Sequence, residues 1–212
     1  MHIYAFGSVC RGDVTPESDV DLLAIVDAQD ARFSPDEYSI YSYSRLVQIW
    51  RAGNPFAWHL STEARLLYSS NGVDVLFEMG EPSRYTNCVA DCQKFYALFC
   101  DAVVSITSQS ETEIYDLSVV FLAARNFATC FSLGHLEAPD FSRHSARRLG
   151  RHSLTISPEQ YDVFERSRIL STRGTGASIG RCEIVMAVEA LAEIESWMRC
   201  LLEELHGHAA GV

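Results

Sequence analysis

The sequence predicts two parts, an α/β (α+β) domain with a mixed sheet over residues 1–85 and an all-α helical bundle over residues 86–212. Two observations point there. Early in the chain, short apolar runs are separated by turn residues; from about Thr86 onward, apolar residues recur at helical spacing. Ile3 to Phe6 is the first apolar run and ends in Gly7-Ser8. Val20 to Val26 is almost wholly apolar, as expected of a buried strand. A polar stretch from Asp27 to Pro35 leads into Tyr38 to Ser42, rich in strand formers. Ser44 is placed to cap a helix over Arg45 to Ala52, with Gly53-Asn54-Pro55 as its stop. Phe56 to Tyr68 starts as helix and finishes as strand near Ala64 to Tyr68, before a turn at Asn71-Gly72.

In the second part, Val89, Cys92, Tyr96, Phe99 and Val103 predict one helix from Cys88 to Ser105. Leu117, Val120, Phe121, Ala124 and Phe127 predict another from Glu113 to Leu133. Ser157-Pro158-Glu159 reads as a helix start, with proline at the first helical position. That helix ends before Arg173-Gly174-Thr175-Gly176. A long last helix from about Ser178 to Leu205 carries the stripe Ile184, Val188, Leu191, Ile194, Met198 and Leu201.

Composition narrows the function classes. The chain of 212 residues is 48% hydrophobic and 11% aromatic, as in an ordered globular protein. Its net charge of −11 disfavours broad binding to DNA through phosphate neutralisation. Seven cysteines show no framework or zinc-site spacing, so free thiols are expected. No room for a signal peptide is seen before the first strand, and no apolar run approaches the roughly 20 residues of a spanning helix. The expected setting is the cytoplasm, without a membrane; homo-oligomerisation is left open.

The chemistry concentrates between Gly7 and Leu22. Asp19 and Asp21 flank one apolar residue at the start of a strand, so period two sets both carboxylates on one face, about 7 Å apart at the backbone. Two like charges entering a buried strand are costly unless a cation lies between them. Mg²⁺, with retained waters and substrate phosphates, meets that need. Gly7 follows the first strand directly and lets backbone N–H groups approach an anion, while Ser8 adds a hydroxyl and Arg11 lies one turn on.

Gly7-Ser8, then Arg11-Gly12, then Ser18-Asp19-Val20-Asp21-Leu22, with Pro16 in the intervening turn, resembles the nucleotidyltransferase superfamily typified by DNA polymerase β, its minimal members in particular. The resemblance is close over about 20 residues and loose over the first 80 or so. It implies binding of a nucleoside triphosphate, ATP or another, at Gly7, Ser8, Arg11 and Ser18, with metal at Asp19 and Asp21. It further implies transfer of a nucleoside monophosphate to a hydroxyl, with release of pyrophosphate. Small-molecule, protein and RNA hydroxyls are all acceptors within the superfamily. Small aminoglycoside nucleotidyltransferases share the two-part layout in outline.

The family's third carboxylate, which binds metal and activates the attacking hydroxyl, has no counterpart inside Tyr38 to Ser42. Glu37 stands at the strand entrance and shares parity with Ser39 and Tyr41, which makes it the expected third catalytic acid. Asp36 faces the other way if the strand has begun, and Asp74 is more remote. The alternative is a binding module that keeps the fold without catalysis, as an antitoxin-like or regulatory partner.

Other candidates are balanced between chemistry and structure. His59, behind Phe56 and Trp58, reads better as a hydrogen-bonding helix residue than as a substrate contact. Ser171 to Gly176 fits an anion-binding loop and a plain interhelical turn equally. Arg125-Asn126 begins like the signature of HEPN ribonucleases, but the window that should hold a histidine does not, and His135 comes too late. From Arg143 to Arg181, eight arginines face Glu159, Asp162 and Glu165, a net of +5 within a remainder of −16. Either Arg143, Arg147, Arg148 and Arg173 hold anions in the cleft, or the segment is paired internally.

Overall fold

The computed structural model describes residues 1–14, 19–27, 30–108, 112–136 and 139–209. The chain divides into two compact units, Met1–Thr86 and Asn87–Val212. The first is built on a mixed four-stranded sheet. Strands β1 (His2–Phe6), β2 (Asp21–Ile25), β3 (Tyr38–Tyr41) and β4 (Arg65–Ser69) lie in the order β3-β2-β1-β4. β1 is antiparallel to β2 and β4, and β2 is parallel to β3.

Alternation along the strands gives the sheet two apolar faces. Tyr4, Phe6, Leu23 and Ile25 pack on one face against Leu46, Ile49, Trp50, Ala57, Leu60 and Leu76. Those six come from helices α2 (Tyr43–Arg51), α3 (Pro55–Glu63) and α4 (Val75–Met79). Fully burying a leucine such as Leu23, Leu46 or Leu60 contributes about 1.5–3 kcal/mol, so this layer fixes the sheet from which the site departs. The other face is smaller, with Ile3, Ala24, Val26 and Tyr38 around Phe33.

Local chemistry sets the helix bounds. α2 is capped by Ser42, whose side chain accepts from the Arg45 N–H, two residues earlier than the expected Ser44 cap. Asn54 caps α3, with Pro55 at its first position, and the chain passes through Ala64 straight into β4. α4 was not expected: Asp74 caps it, accepting from the Phe77 N–H at 3.2 Å and from the Tyr4 hydroxyl at 2.8 Å.

The second unit is helical: α5 (Cys88–Thr107), α6 (Glu113–His135), α7 (Pro158–Arg173), α8 (Arg181–Glu189) and α9 (Leu191–Ala209), with 3₁₀ turns at Ser145–Arg147 and Gly150–His152. α6 packs against α5, α7, α8 and α9. By length and composition it is apolar enough to cross a membrane, contrary to the sequence expectation, and 67% of that apolar stretch is buried. A helix enclosed on most sides has no need of a wet face, which explains its apolarity. Ser157 and Gln160 form a capping box at the start of α7. The expected single last helix is instead two. At Ala190 the N–H turns to the carbonyls of Ala187 and Val188, a tightening that no glycine or proline announces.

All seven cysteines are free, and Cys88 and Cys92 sit in the core on one face of α5, as expected. Among the described residues, three of the eight arginines in the segment pair closely with acids, in ways that follow from the helical packing. Arg143 meets Glu165 at 3.0 Å, Arg166 binds Asp162 and Glu183, and Arg181 binds Glu113. Arg147 lies over the Tyr161 ring at 5.4 Å. Arg125 donates to the carbonyls of Phe141 and Ser142, stapling the following loop to α6. Gly174 closes α7 in a left-handed conformation, donating to the Leu170 carbonyl, as a plain helix end does.

Candidate active site

Where β1 ends, the chain turns at Gly7 into the single helical turn α1 (Ser8–Arg11). Gly7 has φ 75° and ψ −148°, a conformation essentially confined to glycine. Space demands glycine as well: a Cβ here would come within 2.1 Å of the Asp21 Oδ2. The turn therefore lies directly against the first carboxylate of β2, in the register Phe6↔Asp21. Gly7 accepts from the N–H groups of Cys10 and Arg11, and Ser8 is buried.

β2 brings the acids in. Asp21 opens the strand on the face that carries Leu23 and Ile25, at the edge of the helix-covered core, and Asp19 precedes it in exposed extended chain. The parallel register Leu22↔Tyr38, carried back one residue, sets Glu37 beside Asp21. Asp19, Asp21, Asp36 and Glu37 line one open cleft of about 500 Å³, with Tyr38 and Ser39 on its wall and no basic residue among the described residues that line it. Residues 35–37 form a turn and β3 begins only at Tyr38. Strand parity therefore does not turn Asp36 away, and both acids reach the cleft. Asp74, by contrast, is committed to capping α4 and to Tyr4.

These four carboxylates put oxygen donors of the kind hard cations take on one wall of the cleft. Among the described residues, no three acidic, histidine or cysteine side chains are already drawn into a cage.

Arg11, the last residue of α1, makes its contacts within the first unit. Its guanidinium binds Glu63 and also Asp13, at 3.2 Å. His59 completes the group, its Nε2 lying 2.8 Å from the same Glu63 oxygen within α3. His59 is thus the hydrogen-bonding helix residue the sequence suggested. Glu63 carried no local signal, because its partner Arg11 is 52 residues away. Ser18 and Pro16 lie outside the described residues.

A mixed sheet, a glycine turn at the end of its first strand and paired carboxylates opening the next define a nucleotidyltransferase fold of the DNA polymerase β type. Residues 2–67 match the nucleotidyltransferase domain family, so the first unit is a nucleotidyltransferase domain. No curated protein matches the chain.

Proposed function

We propose that the protein moves a nucleoside monophosphate from a triphosphate, ATP being the first candidate, to an acceptor hydroxyl with Mg²⁺ and release of pyrophosphate. The observation that carries this reading is the convergence of Asp19, Asp21, Asp36 and Glu37 on one cleft beside the Gly7-Ser8 turn. Backbone N–H groups of the turn hold the triphosphate, and Asp19 and Asp21 hold the cation. When bound, Mg²⁺ neutralises phosphate charge and orients the leaving group. Glu37 takes the proton of the acceptor hydroxyl. The hydroxyl oxygen forms a bond to the α-phosphorus, the bond from that phosphorus to the bridging oxygen breaks, and pyrophosphate leaves with the electron pair.

The test uses triphosphates labelled at the α- or the γ-phosphorus, incubated with Mg²⁺ and panels of small-molecule, protein and RNA acceptors. Transfer of the α-label alone, matched by pyrophosphate, is the expected result. Transfer of the γ-label would overturn the reading. Metal-dependent triphosphate binding with no pyrophosphate from any acceptor would make the protein a binding module instead.

A further inference from the structure

Glu63 is a buried acid that the proposed reaction does not use. Glu63 is only 7% exposed, and a single one of its carboxylate oxygens meets both Arg11 and His59. A carboxylate beside a guanidinium accepts only, so His59 donates from Nε2. Such a group is costly to bury unless it is paired, and Arg11 and His59 pair it.

Its position suggests a use. β1 and β4 pair in the register Ala5↔Arg65, two residues before Gly7 on one strand and two residues after Glu63 on the other. α3 delivers Glu63 as its last residue, braced by the Asn54 cap at one end and the sheet at the other. α1 is a single turn with no side-chain cap at its start and a left-handed Gly12 at its end. One turn of helix does not stabilise itself. Arg11, its last residue, is the tether to Glu63, and on the other flank His59 packs edge-on against Phe6 at 5.4 Å. Phe6 immediately precedes Gly7. Glu63 therefore reaches both sides of the Gly7-Ser8 turn through two hydrogen-bonded neighbours. With Asp13 on its Nε and Glu63 on Nη1, the Arg11 guanidinium is already met by two carboxylates, with which a phosphate would have to compete.

We propose that Glu63 is a positioning residue for the triphosphate seat, acting through Arg11 and His59, and that Arg11 is a tether rather than a phosphate ligand. The proposal rests on the nucleotidyltransferase reading of the same turn. Its test is titration of Mg-ATP into the full chain and into Glu63→Gln, Arg11→Ala and the double variant. Mn²⁺ binding to the acidic cleft, read by electron paramagnetic resonance, is followed in parallel.

Affinity for Mg-ATP falls about tenfold in each single variant, and the double variant is no worse than either, the non-additivity expected of one coupled pair. Mn²⁺ binding stays at the wild-type level, which general unfolding would not permit. Equal or tighter Mg-ATP binding by Glu63→Gln, as would follow if freeing Arg11 released it to the phosphates, overturns the proposal; so do additive losses. Should thermal melting show that Glu63→Gln does not fold, His59→Asn takes its place, with a loss of about threefold expected and wild-type affinity overturning the proposal. A wild-type chain that binds no Mg-ATP refutes the nucleotidyltransferase reading and this one with it. Binding that is lost in Asp21→Asn but indifferent to Glu63 refutes only the positioning role.

Discussion

Replacing Gly7 with alanine separates the two demands the turn makes. An alanine Cβ would stand 2.1 Å from the Asp21 Oδ2, 3.1 Å from its Cγ and 3.4 Å from its Cβ, so the carboxylate has to swing out of its place. The backbone itself costs about 1–3 kcal/mol, because φ 75° with ψ −148° is open almost only to glycine. Rearranging Asp21 adds about 1–3 kcal/mol on the scale of overpacking elsewhere, nearer the lower end because a short side chain at a cleft can move. Gly12 is the control: it also has positive φ, at 79°, yet an added Cβ meets nothing within 4 Å. Gly12→Ala therefore carries only a left-handed penalty of about 1–2 kcal/mol. Urea unfolding of both variants, with Mg-ATP titration of the folded proteins, measures the difference. Gly7→Ala is expected to be the less stable by about 1–3 kcal/mol and to lose Mg-ATP binding, while Gly12→Ala keeps most of it. Equal stabilities and equal affinities would refute the close approach of turn and carboxylate.

The other predictions concern the third acid, the core and pH. Glu37→Gln should cut turnover by about 10²–10⁴-fold with far less effect on nucleotide affinity, as loss of a general base does, and Asp36→Asn should cut it less; a larger effect at Asp36, in steady-state pyrophosphate release, would exchange their roles. Phe127 is fully buried on α6 and packs against Trp197 at 5.5 Å, so Phe127→Ala should cost about 3–5 kcal/mol in urea unfolding; a cost below about 1 kcal/mol would contradict the core role of α6. Glu204 receives Nε2 of His135 and of His152, each at 3.1 Å. Burial alone would raise its pKa, but the His135 hydrogen bond and the His152 charge outweigh it and hold the carboxyl below its ordinary 4.5. A depressed folded pKa adds stability above the unfolded value, and that stability is lost as pH falls through the folded one. The gap in melting temperature between wild type and Glu204→Gln should therefore shrink from pH 7 to about pH 3; a constant gap would contradict the assignment.

The site was legible where its parts are close in sequence. Gly7, Asp19 and Asp21 follow from the end of one apolar run and the start of the next, and the structure adds why glycine is obligatory, a contact no sequence prints. Glu37 was chosen by parity with Ser39 and Tyr41; it sits in the turn before β3 and lines the same cleft as Asp21. Asp36 was set aside only on the condition that the strand had begun before it, and β3 begins at Tyr38, so that condition is not met. α4 escaped notice because five residues are too few for a helical period, and the break at Ala190 because an uninterrupted apolar stripe runs through it. Glu63 and the carbonyl staple made by Arg125 depend on residues brought together only by the fold.

The central claim is that the cleft beside Gly7 binds a triphosphate through a divalent cation held by Asp19 and Asp21. Isothermal titration of ATP into the wild type, Asp19→Asn and Asp21→Asn, with Mg²⁺ and with excess chelator, tests it most directly. The account predicts binding by the wild type that requires Mg²⁺ and is lost in both variants, whose melting temperatures stay near that of the wild type. Binding of equal strength in all three, or binding indifferent to Mg²⁺, would contradict it.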